Sequence, residues 1–250
     1  MIKRDIAEGI IEYVFEPRQP HHHFADRIVA IVSGNEAMLI DTGYEDEARE
    51  VFNDLTANGI GLHGVIISHF HDDHMEGLKA LPSVPVYGSA RFQETLDRWT
   101  PKEEHTLFTP TVRVDEPLRI QFGSHAIEII PFPGHSVCTV LVKIDDAFVH
   151  VADEVMFSPE GEPLMPCIKK DDVTIQLASL GRLKGYMDYR FILAHGDHIK
   201  SADDIENAID NTMLYLKQVS EKEGRISYEE ATKDCTCEFV HKEWHESVYR

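Results

Sequence analysis

The chain has 250 residues, enough to bury a substantial core, and its apolar and charged fractions of 42% and 27% are typical of a globular protein. A formal net charge of −20, from 24 basic and 44 acidic residues, disfavours nucleic acids and anionic membranes as partners. No apolar run is long enough to span a bilayer, the start lacks a secretory signal, and four cysteines in a chain this long are typical of reduced thiols, so the sequence predicts a cytoplasmic protein.

The first half of the chain alternates predicted strands and helices. Strands rich in β-branched and apolar residues are predicted at 10–16, 27–33, 37–41, 64–68 and 84–87. Ser33, Gly34 and Asn35 indicate a hairpin turn. Apolar residues at helical spacing predict helices from Glu45 to Asn58 and from about 89 to 99.

The second half begins with β-structure and ends with helices. Strands are predicted at 111–114, 118–122, 126–131, 139–144, 147–152 and 189–194, and helices at 173–185 and 202–222. Ser201 and Asp204 form a plausible capping box for the last helix. The chain lacks an internal linker, so we expect one domain over residues 1–250 with a polar C-terminal tail from about residue 226, either docked or frayed. The order of elements indicates two sheets with helices outside them.

Three histidines and two aspartates lie within the seven residues from Ser68 to His74, in the sequence SHFHDDH. His69 and His71 are two residues apart at the end of a predicted strand and point the same way. Asp73 and His74 begin the next helix or turn and can face back toward them. Imidazole and carboxylate groups are zinc ligands, and four of them in six residues can serve two adjacent ions.

Three further candidate ligands follow apolar strands elsewhere in the chain. They are His135 in a Pro-Gly turn, Asp153 and His195. Functional side chains usually lie in loops that follow rigid strands. The sequence therefore predicts one metal site assembled from four segments.

The pattern His-x-His-x-Asp-His at residues 69–74, followed by His135, Asp153 and His195, resembles the metallo-β-lactamase superfamily. The resemblance extends from about residue 25 to 200 and includes Asp41, which ends a strand. It implies an α/β fold, a four-layer αβ/βα sandwich with metals in a groove at one edge.

The resemblance also implies a role for each ligand. His69, His71 and His135 would hold one ion, Asp73, His74 and His195 the other, and Asp153 would bridge them. Asp41 would orient the motif loop through hydrogen bonds, although a turn cap before Gly43 fits the sequence equally well.

The implied activity is that of a metal-dependent hydrolase. A hydroxide between two divalent ions would attack a small carbonyl substrate, an ester, thioester or lactone, and Asp73 would be the catalytic residue that handles the proton. Zinc is favoured, with iron or manganese as alternatives. Relatives that hydrolyse glutathione thioesters add a helical C-terminal domain. The tail from about residue 226 is short for such a domain. The sequence carries no signal for an oligomeric state.

Two other activities remain open. Some members of the superfamily use these ligand types to bind a single iron and oxidise persulfides. A phosphodiesterase or nuclease is disfavoured by the net charge of −20. A metal-free binding protein is disfavoured because every ligand position is retained.

Several residues outside the ligand set are candidates for weaker roles. The loop from Glu154 to Asp172 could contact substrate, with an apolar wall of Met156, Phe157, Met165 and Cys167. Lys169 and Lys170 are candidates for a substrate carboxylate, or belong to a solvated connection. His21–His23 beside the groove are weaker candidates for contact with substrate. His198 is a weaker candidate for a residue that supports the ligands. A separate zinc on Cys235, Cys237, His241 and His245 is not favoured, because the spacing of these residues does not indicate a metal site.

Overall fold

The computed structural model describes residues 1–18, 24–196, 200–222 and 224–249. The strands of this part of the chain are β1 (Ile2–Ala7), β2 (Ile10–Val14), β3 (Arg27–Ser33), β4 (Glu36–Ile40), β5 (Gly61–Ile66), β6 (Val86–Ser89), β7 (Val112–Val114), β8 (Leu118–Phe122), β9 (His125–Pro131), β10 (Val140–Ile144), β11 (Phe148–His150) and β12 (Arg190–Ile192). The α-helices are α1 (Glu45–Ala57), α2 (Asp72–Met75), α3 (Phe92–Trp99), α4 (His105–Phe108), α5 (Val173–Leu183), α6 (Ala202–Glu221) and α7 (Tyr228–Ala231). Segments of 3₁₀-helix lie at Glu76–Ala80, Lys102–Glu104, Lys170–Asp172, Lys184–Tyr186 and Lys242–Tyr249.

The strands form two sheets. The first sheet has seven strands in sequence order, antiparallel from β1 to β4 and parallel from β4 to β7. The second sheet has five strands in the order β12-β11-β10-β9-β8, of which only the pair β11 and β12 is parallel. Ser33 pairs with Glu36 across a two-residue turn, as predicted, and Gly34 there has a φ of 62°.

Three hydrophobic clusters separate four layers. The central cluster joins both sheets, with Ile31 and Ile66 from the first and Ile129 and Val142 from the second. On the far side of the first sheet, Val51 and Leu55 of α1 and Leu96 of α3 pack against its strands. On the far side of the second sheet, α5 and α6 cover a third cluster. The predicted αβ/βα sandwich is confirmed, because each sheet buries one face against the other and one against helices.

The largest departures from the predicted elements lie at the two termini. β1 was not predicted, because most of its side chains are exposed or half-buried and its sequence does not alternate. The C-terminal tail is docked: Phe239 and Val248 are buried in the third cluster, and Leu164 forms a β-bridge with Val240. The assignment of the whole chain to one domain stays a prediction.

None of the described helices combines the length and the apolar composition that a bilayer crossing demands.

Candidate metal centre

The seven predicted ligands meet at one edge of the sandwich. The motif loop follows β5, and α2 begins at Asp72 within it. His135 follows β9, Asp153 follows β11 and His195 follows β12. The structure thus brings together residues from both sheets, and their ligand atoms form three overlapping groups of mutually close atoms: His69, His71 and His135; His69, His74 and Asp153; Asp73, His74 and His195.

The first group consists of three histidines whose nitrogens face one another. His71 Nδ1 lies 2.9 Å from His69 Nε2 and 3.3 Å from His135 Nε2. Ligand atoms that share a tetrahedral ion lie about 3.3 Å apart when the bonds are about 2.0–2.1 Å long. The spacing of these three nitrogens therefore fits one small divalent ion.

The second group consists of His74, His195 and Asp73. Asp73 Oδ2 lies 3.7 Å from His74 Nε2 and 3.4 Å from His195 Nε2. These separations exceed hydrogen-bond length, yet both imidazoles are buried, and the Asp73 side chain keeps 18% of its surface exposed. The second group thus resembles the first in spacing but includes a carboxylate that reaches solvent.

Asp153 lies between the two groups. Its Oδ2 is 3.8 Å from His69 Nε2 and 3.6 Å from His135 Nε2. Its Oδ1 is 3.3 Å from His74 Nε2 and 3.4 Å from His195 Nε2. One carboxylate oxygen therefore faces each group, which is the arrangement of a bridging ligand.

Asp41 holds the motif loop from beneath. It has a φ of 59°, and its carboxylate accepts hydrogen bonds from Ser68 N, Ser68 Oγ and His74 Nδ1 at 2.7, 2.7 and 2.8 Å. Because Nδ1–H of His74 donates to Asp41, Nε2 faces into the site. The orienting role predicted for Asp41 agrees with these contacts better than a simple turn cap does.

His195 is oriented in a similar way by the segment before β3. Its Nδ1 lies 3.2 Å from the carbonyl oxygen of Ala25, and Asp26 forms an antiparallel β-bridge with His195. A carbonyl can only accept, so Nδ1 carries the proton and Nε2 faces Asp73 and Asp153. Burial raises the pKa of the nearby Asp26 carboxyl to about 7.

Glu154 supports the loop that carries His135. Its carboxylate is buried and accepts hydrogen bonds from His135 N at 2.8 Å, from Ser179 Oγ at 2.6 Å and from Gln176 Nε2 at 3.2 Å. Ser179 and Gln176 belong to α5, so this residue ties the His135 loop to a helix. Burial raises the pKa of Glu154 to about 7.

The electrostatics of the two histidine groups differ. Burial, reinforced by the facing imidazoles, lowers the pKa of His71 to about 3 and also lowers the pKa of His69 and His135, so these three rings are neutral. Burial has the same tendency at His74 and His195, but the carboxylates of Asp153 and Asp73 outweigh it and raise both pKa values. The first group offers lone pairs, and the second is arranged to attract positive charge.

Two buried polar atoms indicate that the site fits a cation. Among the described residues, His74 Nε2 and Asp153 Oδ1 are fully buried and have no hydrogen-bond partner, although they lie 3.3 Å apart. Leaving such atoms unsatisfied costs free energy, whereas a metal ion between them would satisfy both. The donor set of imidazoles and carboxylates is suited to zinc, iron or manganese.

The ligands open onto a cleft of about 620 Å³. Its lining includes four aromatic side chains that the sequence did not single out: Phe24, Tyr44, Trp99 and Trp244. Of the predicted apolar wall, Met156 and Cys167 line the cleft, but Phe157 and Met165 are packed in the core beneath it, so their predicted place was wrong. Lys169 lines the cleft, whereas Lys170 is exposed outside it.

The zinc site on the C-terminal tail, which the sequence did not favour, is not among the potential metal-binding groups of the described residues. Both ring nitrogens of His245 already have partners: Tyr215 Oη lies 3.0 Å from Nδ1, and the Ile226 carbonyl oxygen lies 2.9 Å from Nε2. His241 stacks on Trp244. The candidates His21–His23 and His198 lie outside the described residues.

Comparisons with known proteins agree with this geometry. Residues 27–185 match the family model of the metallo-beta-lactamase superfamily. The chain is 30% identical over 105 residues to a hydroxyacylglutathione hydrolase from Hahella chejuensis, a match that covers 41% of this chain and 35% of the relative. It is 32% identical over 131 residues to a protein of the same name from Shewanella denitrificans, covering 48% of this chain and 43% of the relative. The chain thus spans less than half the length of these relatives.

A solved structure gives the same result for the fold. A metallo-beta-lactamase from Pontibacter korlensis superposes with a TM-score of 0.68 at 17% identity, covering 84% of this chain and 99% of the other. At this level of identity the likeness concerns the fold alone.

Proposed function

This chain belongs to the metallo-beta-lactamase superfamily, and from that premise we propose that it is a two-metal hydrolase of a small carbonyl compound, with a thioester as the first substrate to test. The observation that carries the proposal is the position of Asp153. Its two oxygens face two separate groups of buried ligands, with one oxygen toward each. A carboxylate in that position serves two ions better than one.

The proposed ligand sets follow from these distances. His69, His71 and His135 would hold one ion, Asp73, His74 and His195 the other, and Asp153 both. We propose zinc for both positions, because imidazole and carboxylate ligands at these spacings suit it. Divalent ions held there would supply Lewis acidity, which acidifies water and polarises a carbonyl oxygen.

The protein's own residues would position the reactants and move the proton. Asp73 is the ligand carboxylate with the larger solvent exposure, 18% against 6% for Asp153. Its Oδ2 faces the imidazoles of His74 and His195, which leaves Oδ1 to accept a hydrogen bond from the attacking water. The same carboxylate would then deliver the proton to the departing thiol or alcohol. The aromatic walls of the cleft would shield this transfer from bulk water.

One observation favours a thioester over other carbonyl compounds, and two more disfavour the alternative activities. The curated relatives at 30% and 32% identity are named for the hydrolysis of a glutathione thioester, whereas the lactamase structure shares only 17% identity. A phosphodiester of a nucleic acid fits poorly with a net charge of −20. A single iron ion would leave the group of Asp73, His74 and His195 without a bound ion.

The test combines metal analysis with a substrate panel. Protein purified without chelator should contain close to two equivalents of metal and should hydrolyse a thioester faster than a lactone or a phosphodiester. Active, metal-replete protein with one equivalent of iron and oxygen-dependent turnover of a persulfide would contradict the proposal. Faster turnover of a phosphodiester, or tight salt-sensitive binding of single-stranded nucleic acid, would contradict it as well.

A further inference from the structure

The two ends of the cleft differ in chemistry. One end lies beside the three-histidine group, where the ring of Trp99 is 6.1 Å from that of His71. The other end lies beside the second group, where the ring of Phe24 is 5.0 Å from that of His195 and 6.1 Å from that of Trp244. The candidate ligands lie between Trp99 and Phe24, so a substrate whose carbonyl reacts there can extend one arm toward each of these rings.

The Trp99 end carries a positive charge. The Lys169 ammonium lies over the ring of Trp99, 4.3 Å from its centre, which fixes the direction of a long side chain by a cation–π contact. The other cation of the lining, Arg98, is neutralised by Asp172 at 3.1 Å. Across the described ranges, Lys169 has no carboxylate within ion-pair distance. An uncompensated cation in the cleft of a protein with a net charge of −20 is suited to an anionic group of the substrate.

The Trp99 ring adds apolar surface beside this cation. Trp99 is one of few large hydrophobic side chains of the described chain that stay exposed, at 51% of its surface. Because Trp99 lines the cleft, its exposed ring provides apolar contact area beside the cation. The Trp99 end therefore suits an alkyl chain that ends in a carboxylate.

The end beside the second group is lined by aromatic rings. Trp244 is stacked on His241 at 4.3 Å between ring centres with an angle of 6° between the planes, so its ring is held in place. Phe24 stands against both Trp244 and His195. Tyr44 also lines the cleft. An apolar group that packs against these rings is the fitting occupant of this end.

We infer that the substrate is a carboxylate-bearing ester or thioester, with its anionic arm bound by Lys169 at Trp99 and an aromatic or bulky aliphatic arm packed against Phe24 and Trp244. This inference rests on the proposed function, because it takes the reacting carbonyl to lie at the ligands between the two arms. Lys169 is then a specificity-determining residue that contacts the end of the substrate remote from the bond that breaks.

The first experiment measures binding without turnover. Adipic acid monoanilide has a phenyl arm, a central amide carbonyl and a terminal carboxylate, and its terminal primary amide lacks only the charge. Calorimetry on the metal-loaded protein should give a Kd about tenfold lower for the acid than for the primary amide. Lys169→Gln should abolish this preference, and Lys170→Gln, the matched control one residue along the chain, should retain it. An undiminished preference in Lys169→Gln, or no preference in the wild type, would overturn the inference.

A second comparison tests the apolar arm. Replacing the phenyl group of the anilide by methyl should weaken binding to the wild type several-fold, and the loss should shrink in Trp244→Leu. Thermal unfolding of Trp244→Leu shows whether the variant is folded. If Trp244→Leu does not fold, binding of the phenyl and methyl amides is compared between the wild type and Phe24→Leu instead. Equal binding of both probes to the folded wild type would contradict the assigned apolar end.

Turnover separates this inference from the proposed function. The S-phenyl thioester of adipic acid should have a lower KM than its methyl ester, at similar kcat, and Lys169→Gln should remove the difference. Equal KM values with rapid turnover of both would contradict the inference and leave the hydrolase assignment in place. No turnover of either thioester, with a Lys169-dependent preference between the anilides, would contradict the hydrolase assignment and support the recognition of the carboxylate.

Discussion

Asp153 is the residue whose removal should affect both proposed ions. In Asp153→Ala, two sets of ligands remain but lose the carboxylate between them, so two nearby cations would face each other without compensation. We expect metal content to fall from about two equivalents to one or fewer, and hydrolysis to fall at least 100-fold. Elemental analysis and initial rates measure the two effects. Full metal content with full turnover would rule out the bridging role.

Asp73 should separate metal binding from proton transfer. Asp73→Asn keeps an oxygen toward His74 and His195 but cannot accept and release a proton at neutral pH. We expect kcat to fall by about 100-fold or more, with a much smaller loss of metal. Rates normalised to the measured metal content provide the additional readout, since the loss of proton transfer persists at full metal occupancy. A variant whose activity falls only in step with its metal content would show that Asp73 acts as a ligand alone.

The clustering of the proposed ligand residues could be predicted because each lies in a short pattern at a strand end. Asp73 and His74 lie in one six-residue motif with His69 and His71, and strand exits are recognisable from apolar runs. Trp99 and Trp244 could not be predicted. They come from separate elements, and no spacing in the sequence shows that the tail folds back over the cleft.

At the scale of elements, Asp54 ties the edge strand β1 and its neighbour β2 to helix α1. Its Oδ2 accepts hydrogen bonds from Lys3 Nζ at 2.7 Å and from Tyr13 Oη at 2.8 Å. Burial would raise the pKa of this carboxyl, but the contacts with Lys3 and Tyr13 outweigh it and lower the pKa. A depressed pKa in the folded state stabilises the fold above the unfolded-state pKa of about 3.9, and this stabilisation is lost as the pH falls.

Asp54→Asn should therefore lower the free energy of unfolding by about 1 kcal/mol at pH 7, and by less at pH 3. Urea unfolding at the two pH values measures the difference. Glu50→Gln on the same helix is the control, because Glu50 is 54% exposed and lies 3.8 Å from the N-terminal ammonium. A loss that stays constant from pH 7 to pH 3 would contradict the assigned charge effect.

Helix α6 begins at a cap that the sequence identified correctly. Ser201 Oγ accepts from Asp204 N at 3.1 Å, and Ser201 N donates to Asp204 Oδ2 at 3.3 Å. Ser201→Ala should cost about 1 kcal/mol of stability, measured by chemical unfolding, whereas Ser201→Asp should retain most of it because aspartate also caps. Equal destabilisation by both substitutions would indicate a role other than capping.

Boundaries of elements were predicted within a few residues where hydrophobic periodicity is strong. Helix α1 was expected from Glu45 to Asn58 and ends at Ala57, and β3 matches its predicted range of 27–33. The edge strand β1 was not predicted because its own sequence does not alternate apolar and polar residues. Its pairing with β2 stabilises it as a strand.

At the scale of the whole molecule, metal removal should lower thermal stability. The site buries Asp41, Asp153 and several imidazoles, whose charges and lone pairs favour a cation. A metal at about 1,000 times its Kd stabilises the native state by about 4 kcal/mol, which corresponds to roughly 10 °C in Tm for a chain of this size. Calorimetry before and after treatment with a chelator measures this shift, and added zinc should reverse it. An unchanged Tm would indicate that the site does not bind metal in the purified protein.

The division of the ligands between two sheets has a consequence for biosynthesis. The first sheet and its motif loop, with His69, His71, Asp73 and His74, leave the ribosome before the strands that deliver His135, Asp153 and His195. A nascent chain with the first sheet alone would therefore expose only part of the proposed ligand set. Loading of the proposed ions would wait for the second sheet to dock. Retained metal would then distinguish completed molecules from stalled or truncated ones.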